Sequence, residues 1–167
     1  MKYSDIRHQI KSGDVLAWNH RSWKSWYDIK IQIVRILSRS EFIHTGTAWV
    51  IGGRVFVIES VIPYIRIVPL SSLLECYWIP MDLDKEWISI EDCALEFIGK
   101  GPYSQTESIL QMIKGDSPIE NGKWFCSKLT NELLRKMGIK SCEHPVTPSA
   151  LIDHLLNLGR PIYKIQK

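Results

Sequence analysis

The chain has 167 residues, 45% of them hydrophobic and 23% charged, a balance that excludes an intrinsically disordered protein. That length suits one domain spanning 1–167 with an ordinary buried core. The formal charge of +3 is too small to point to nucleic acid, and no Lys/Arg run marks a basic arm.

The first residues, MKYSDIRHQIKSGDV, hold an early acid and no apolar stretch, so they do not read as a secretory signal. No segment approaches the roughly 20 apolar residues that span a membrane. The expectation is a cytoplasmic protein, with export by a partner protein left open.

Ser12-Gly13-Asp14 is a turn signal, and the apolar residues 15–18 after it read as a short strand. Trp23, Trp26, Lys30, Ile33, Val34 and Leu37 recur near 3.6, which predicts a helix over 24–38 with one polar interruption. Residues 43–51 and 54–62 are rich in β-branched and aromatic types, as strands prefer. Gly52-Gly53 between them is a two-residue hairpin signal. Residues 64–69, punctuated by Pro63 and Pro69, read as an edge or interrupted strand, and 76–79 as another. Helices are expected over 86–98, 105–113 and 125–137, with a loop at 115–122. Thr147-Pro148 opens a last helix, with Thr as N-cap and Pro at the first helical position, ending near Gly159. A short strand closes the chain at 161–165. Strands joined by tight turns are antiparallel. The class is therefore α+β, a central antiparallel sheet flanked by helices.

The hairpin permits a geometric reading. A two-residue loop at Gly52-Gly53 puts Ile51 opposite Arg54, Ala48 opposite Val57, Gly46 opposite Glu59 and His44 opposite Val61. Opposed residues share a sheet face with residues two apart, so His44, Gly46 and Glu59 lie on one face. Glu59 is then the diagonal neighbour of His44, about 7–8 Å away between Cα atoms. Gly46 has no side chain to separate them. A slip of one residue would break the alignment.

A carboxylate that orients a histidine is half of a nucleophilic device. Among the four cysteines, Cys76, Cys93, Cys126 and Cys142, Cys126 differs by opening a helix, where N–H groups and the dipole lower a thiol pKa. The same N–H groups are suited to a developing oxyanion. The plainer readings stand beside this one. A lone cysteine is commonly a small buried hydrophobe, and a His–Glu pair on a strand is commonly a surface pair. Cys93 and Cys76 fall inside a helix and a strand and read as core; Cys142 sits in a short connection. His8, His20, His144 and His154 have no comparable carboxylate. With no CxxC spacing, neither a disulfide framework nor a metal site is expected; Cys142 and His144 lack a second pair.

At these residues the sequence resembles a known family. Ser12-Gly13-Asp14-Val15-Leu16, His44-Thr45-Gly46, Ile58-Glu59-Ser60 and Phe125-Cys126-Ser127 are similar to motifs of the permuted NlpC-type, YiiX-type hydrolases of the papain-like group. In that family the histidine strand precedes the cysteine helix. Gly99-Lys100-Gly101-Pro102-Tyr103 and Thr147-Pro148-Ser149 resemble the segments before the cysteine helix and at the start of the later one. The resemblance implies a circularly permuted papain-like fold and a thiol hydrolase of the cysteine peptidase or amidase kind. Cys126 becomes the nucleophile, His44 the general base and acid, and Glu59 the orienting group. It implies no cofactor, and a peptide-like or acyl-amide substrate, such as a cell-wall peptide or an acyl-lipid amide. Tyr103, Trp124 and Trp18 become candidates for the pocket or the oxyanion site. Two features depart from the pattern. Trp124-Phe125 replaces the small pair that commonly precedes the cysteine, and Trp18, Trp23 and Trp26 enrich the first third in aromatics. Together they suggest a reshaped pocket and an apolar group on a substrate or partner. An acyltransferase with the same triad, or a non-catalytic binding or assembly protein on the same fold, are the alternatives.

Overall fold

Gly52 and Gly53 both adopt positive φ, 55° and 74°, the backbone of a two-residue turn whose twist suits a β-hairpin. That turn joins two neighbouring strands of the sheet, His44–Ile51 and Arg54–Ser60. The computed structural model describes residues 1–19, 41–61, 64–83, 90–98, 125–140, 142 and 147–167. The helices predicted over 24–38 and 105–113, and the loop over 115–122, lie outside these residues.

Among the described residues are six strands: β1 (Val15–Trp18), β2 (His44–Ile51), β3 (Arg54–Ser60), β4 (Ile65–Pro69), β5 (Cys76–Ile79) and β6 (Tyr163–Ile165). They form one sheet in the order β4-β3-β2-β1-β5-β6, and every neighbouring pair is antiparallel. β4, which the flanking prolines mark as an edge strand, is one edge of this sheet. The helices are α1 (Tyr3–Ile6), α2 (Ile90–Phe97), α3 (Cys126–Lys136) and α4 (Pro148–Asn157). A single 3₁₀ turn, Leu70–Ser72, follows β4. The class is α+β.

The sheet is buried on both faces. Val15, Ala17, Trp49 and Ile58 pack with Leu129, Leu133 and Leu134 of α3 and Leu151, Ile152 and Leu155 of α4. The alternate residues Leu16, Ala48, Val55 and Val57 point the other way, into a second core with Ile6 of α1, Ile10 and Trp78. The period-two alternation of the strands thus serves two cores, with β1 and β2 central to each.

Local chemistry sets the helix ends. Thr147 Oγ1 accepts from Ala150 N–H at 3.2 Å, with Pro148 at the first position of α4. Gly138 and Gly159 take positive φ, 77° and 80°, just past α3 and α4.

The Ser12-Gly13-Asp14 turn is a brace. Asp14 is buried, and its carboxylate accepts from Lys11 N–H (2.8 Å), Trp78 Nε1–H (2.8 Å) and Met81 N–H (3.0 Å). Ser12 Oγ accepts from Val50 N–H at 2.9 Å. One turn therefore ties the start of β1 to β2 and β5. Burial pushes the Asp14 carboxyl upward, and its three donors offset part of that.

The β2–β3 ladder runs from Ile51↔Arg54 through Ala48↔Val57 to Thr47↔Ile58, the register that the hairpin reading predicts. Past that point Gly46 leaves the room the site needs. A Cβ there would fall 2.6 Å from Val57 Cγ1, 3.1 Å from the Ile58 carbonyl oxygen and 3.6 Å from Glu59 Cβ. Because one of these contacts is backbone, Gly46→Ala is expected to destabilise the protein by about 1–3 kcal/mol, measured by urea unfolding.

Candidate active site

His44 is the first residue of β2, opposite Trp18 in the β1–β2 ladder. The strand start is held from two sides. Phe42 N–H donates to Ser149 Oγ of α4 at 2.9 Å, and Thr130 Oγ1 of α3 donates to Thr45 Oγ1 at 3.2 Å. His44 Nε2 and Glu59 Oε2 are 2.6 Å apart, a hydrogen bond across the hairpin. Glu59 is almost wholly buried, at 2% exposure, whereas the imidazole keeps 22%.

Cys126 is the first residue of α3 and is 3% exposed. The residue before it, Phe125, is extended and makes no capping bond with its own side chain. Helix α3 lies on the Thr45 and Trp49 face of the sheet, whereas alternation turns His44 toward the other face. The two side chains meet at the end of the strand. Cys126 Sγ is 4.0 Å from the carbonyl oxygen of Ile43, and His44 is the group whose charge acts most strongly on the thiol. With Nε2 on Glu59, Nδ1 is the imidazole nitrogen left for sulfur.

The electrostatics follow from this geometry. Burial alone would keep the Cys126 thiol protonated. The imidazolium charge of His44, its hydrogen bond, and the backbone donors of Thr45 and Ser127 overcome burial and hold the thiol below its ordinary value. Burial would likewise lower His44. The Cys126 thiolate, followed by Glu59, instead pushes it up to about 10. Glu59 has the same conflict: burial raises its carboxyl, but the bond to His44 and then Arg66 carry it below the ordinary carboxylate value. All three shifts run in the direction that favours a thiolate, an imidazolium and an ionised carboxylate.

The other described thiols differ. Burial raises Cys76 to about 12 and also raises Cys93, so both stay neutral. Cys142 is half-buried, its backbone paired with the Asn131 side chain at 2.9 and 3.1 Å.

Trp18 packs beside the imidazole, ring centroids 5.4 Å apart at 48°. Its indole N–H donates to Leu73 carbonyl at 2.8 Å. Tyr103 and Trp124 lie outside the described residues, as do Trp23 and Trp26. One residue at the site has no counterpart in the sequence reading. Arg66 of β4 stands opposite Glu59 in the β3–β4 ladder and donates Nε–H and Nη2–H to Oε1, at 2.9 and 2.8 Å. Its signal was the spacing about the 62/63 pair: Val61 N–H donates to Tyr64 carbonyl at 3.1 Å, and counting outward puts 59 opposite 66.

No family model and no curated protein matches the chain. Among solved structures, it is similar to the crystal structure of the metalloprotein YiiX from Escherichia coli O157:H7. The identity is 17%, the TM-score 0.56, and the match covers 79% of this chain and 69% of that one. The fold is the permuted papain-like one, with the histidine strand before the cysteine helix. Among the described residues, no three His, Cys, Asp or Glu side chains group to hold a metal ion. No described helix is long and apolar enough to cross a membrane.

Two titrations check the electrostatics. Thiolate absorbance near 240 nm is expected to show one inflection below the ordinary thiol value of about 8.5, lost in Cys126→Ser. In His44→Ala that inflection moves upward, because only the Thr45 and Ser127 backbone donors then oppose burial. Glu59, with its lowered pKa, adds stability that is present above the ordinary carboxylate value and lost as pH falls through the folded value. Glu59→Gln is expected to cost about 1–3 kcal/mol at neutral pH, with the urea midpoints of the two proteins converging in acid.

Proposed function

We propose that this protein is a cysteine-dependent hydrolase of amide or ester bonds. The observation that carries the reading is the hydrogen-bonded His44–Glu59 pair beside Cys126 at the N-terminus of α3, with the thiol lowered and the imidazole raised. The Cys126 thiolate attacks the carbonyl carbon, forming the S–C bond and moving the carbonyl electrons onto oxygen. First-turn N–H groups of α3 receive that oxyanion. As the C–N or C–O bond breaks, His44 delivers its Nδ1 proton to the leaving group. Neutral His44 then takes a proton from water, whose hydroxide releases the acid from the thioester. Glu59 holds the imidazole in one orientation and tautomer throughout.

Trp18 forms a wall beside the imidazole rather than an oxyanion donor, since Leu73 engages its single N–H. The substrate is a peptide-like or acyl amide, in keeping with that aromatic wall.

Limiting iodoacetamide near neutral pH, with the product mapped by mass spectrometry, tests the nucleophile. Cys126 is expected to be alkylated ahead of Cys142, and His44→Ala to abolish that preference. Labelling of Cys126 no faster than Cys142 would refute the reading. On a panel of N-acyl amides, isopeptides and esters, Cys126→Ala and His44→Ala are each expected to lose about 10³-fold or more in kcat. A binding protein would show no turnover of any member.

A further inference from the structure

Glu59 has a second partner that the proposed triad does not require. Its two oxygens are divided: Oε2 meets His44 Nε2 at 2.6 Å, and Oε1 takes both Nε–H and Nη2–H of Arg66. Among the described residues these are the charged groups that face it, His44 from β2 and Arg66 from β4, with Cys126 of α3 acting through His44. Arg66 comes from an edge strand and its side chain is 50% exposed, while the carboxylate it holds is 2% exposed. An ordinary cross-strand ion pair has both partners in water and contributes little. This one reaches inward to a buried acceptor.

The charges explain what such a residue does; the account rests on the hydrolase reading above. At rest the thiolate, imidazolium, carboxylate and guanidinium sum to zero. Once the acyl-enzyme has formed, sulfur is neutral in a thioester and His44 has given its proton to the leaving group. Glu59 is then a buried carboxylate beside a neutral ring, and burial favours its protonation. A protonated Glu59 would donate to Nε2 and force the imidazole proton onto Nδ1. That tautomer has no lone pair facing the thioester, so it cannot take a proton from water. An anionic Glu59 requires the opposite: Nε2 carries the proton and Nδ1 is free to act as base. A guanidinium on Oε1 keeps the carboxylate anionic when the imidazolium charge is gone.

We infer that Arg66 is a positioning residue of the Cys126 reaction, holding Glu59 ionised and turned so that His44 keeps its base tautomer in the acyl-enzyme. Because the two Arg66 donors converge on one oxygen, the other stays with the histidine.

Arg66→Met, Arg66→Gln and Arg66→Lys test this in the full chain, with thermal melts to establish folding. Iodoacetamide alkylation of Cys126 is followed from about pH 4 to 10. In Arg66→Met the acid limb of the profile is expected to move up by about one unit, a roughly tenfold loss of rate on that limb, with the alkaline plateau unchanged. Arg66→Lys, which keeps the charge and loses the fork, should recover part of the shift. Arg66→Gln should shift as Met does, and carries the test should Met fail to fold. Histidine ¹⁵N shifts in the Cys126→Ser background add a second readout: the Nε2–H tautomer with Arg66, and a growing Nδ1–H population with Met or Gln. Wild-type profiles and tautomers in folded Met and Gln variants would overturn the positioning role while leaving the nucleophile intact. If wild-type Cys126 is no more reactive than Cys142, the hydrolase reading itself fails.

Discussion

The bond between His44 Nε2 and Glu59 Oε2 depends on what is missing between them. Two strands run side by side from a two-glycine turn, and near their far end one of them carries a glycine. Any side chain at position 46 would meet Val57 and the backbone of Ile58. The close approach of the carboxylate to the imidazole follows from that gap. So does the polarity of the site. A carboxylate at 2% exposure is tolerable only if cations answer it, and His44 and Arg66 approach it from strands on either side.

From this bond the charges propagate outward. Glu59 and the thiolate stabilise His44 as imidazolium, and the imidazolium stabilises the thiolate at the start of α3. Cys76 and Cys93 show the effect of burial without such a neighbour, since both thiols move the other way. The turn at Ser12-Gly13-Asp14 keeps the frame in place, fastening the start of β1 to β5 through the buried Asp14 carboxylate and to β2 through the Ser12 hydroxyl.

How much of this was legible in the sequence depended on distance along the chain. Gly52-Gly53 between two β-branched runs set the β2–β3 register, and with it the shared face of His44 and Glu59. Thr147-Pro148 marked the start of α4, because caps are local signals. Short elements were not legible: α1 and the 3₁₀ turn span four and three residues, too few to show a period. The helix predicted over 86–98 is described as Ile90–Phe97, shorter at its C-terminal end. Asp14 looked like a turn residue, since its donors on Trp78 and Met81 are distant in sequence. Arg66 was missed because the prolines around β4 hid its pairing. The meeting of Cys126 with the strand start is a contact over 83 positions, which a family likeness implied and no spacing rule supplied.

That separation has a consequence for when the chemistry exists. The thiol belongs to a helix on one face of the sheet, the imidazole to a strand whose side chain leans toward the other, and they touch at the boundary of the two cores. Neither half activates the other until both cores have closed. In a growing or partly unfolded chain Cys126 is an ordinary, largely protonated thiol, slow toward electrophiles and oxidants alike. On the proposed hydrolase reading, reactivity is thus acquired late, as a property of the finished tertiary structure, and is surrendered at the first loosening of the sheet.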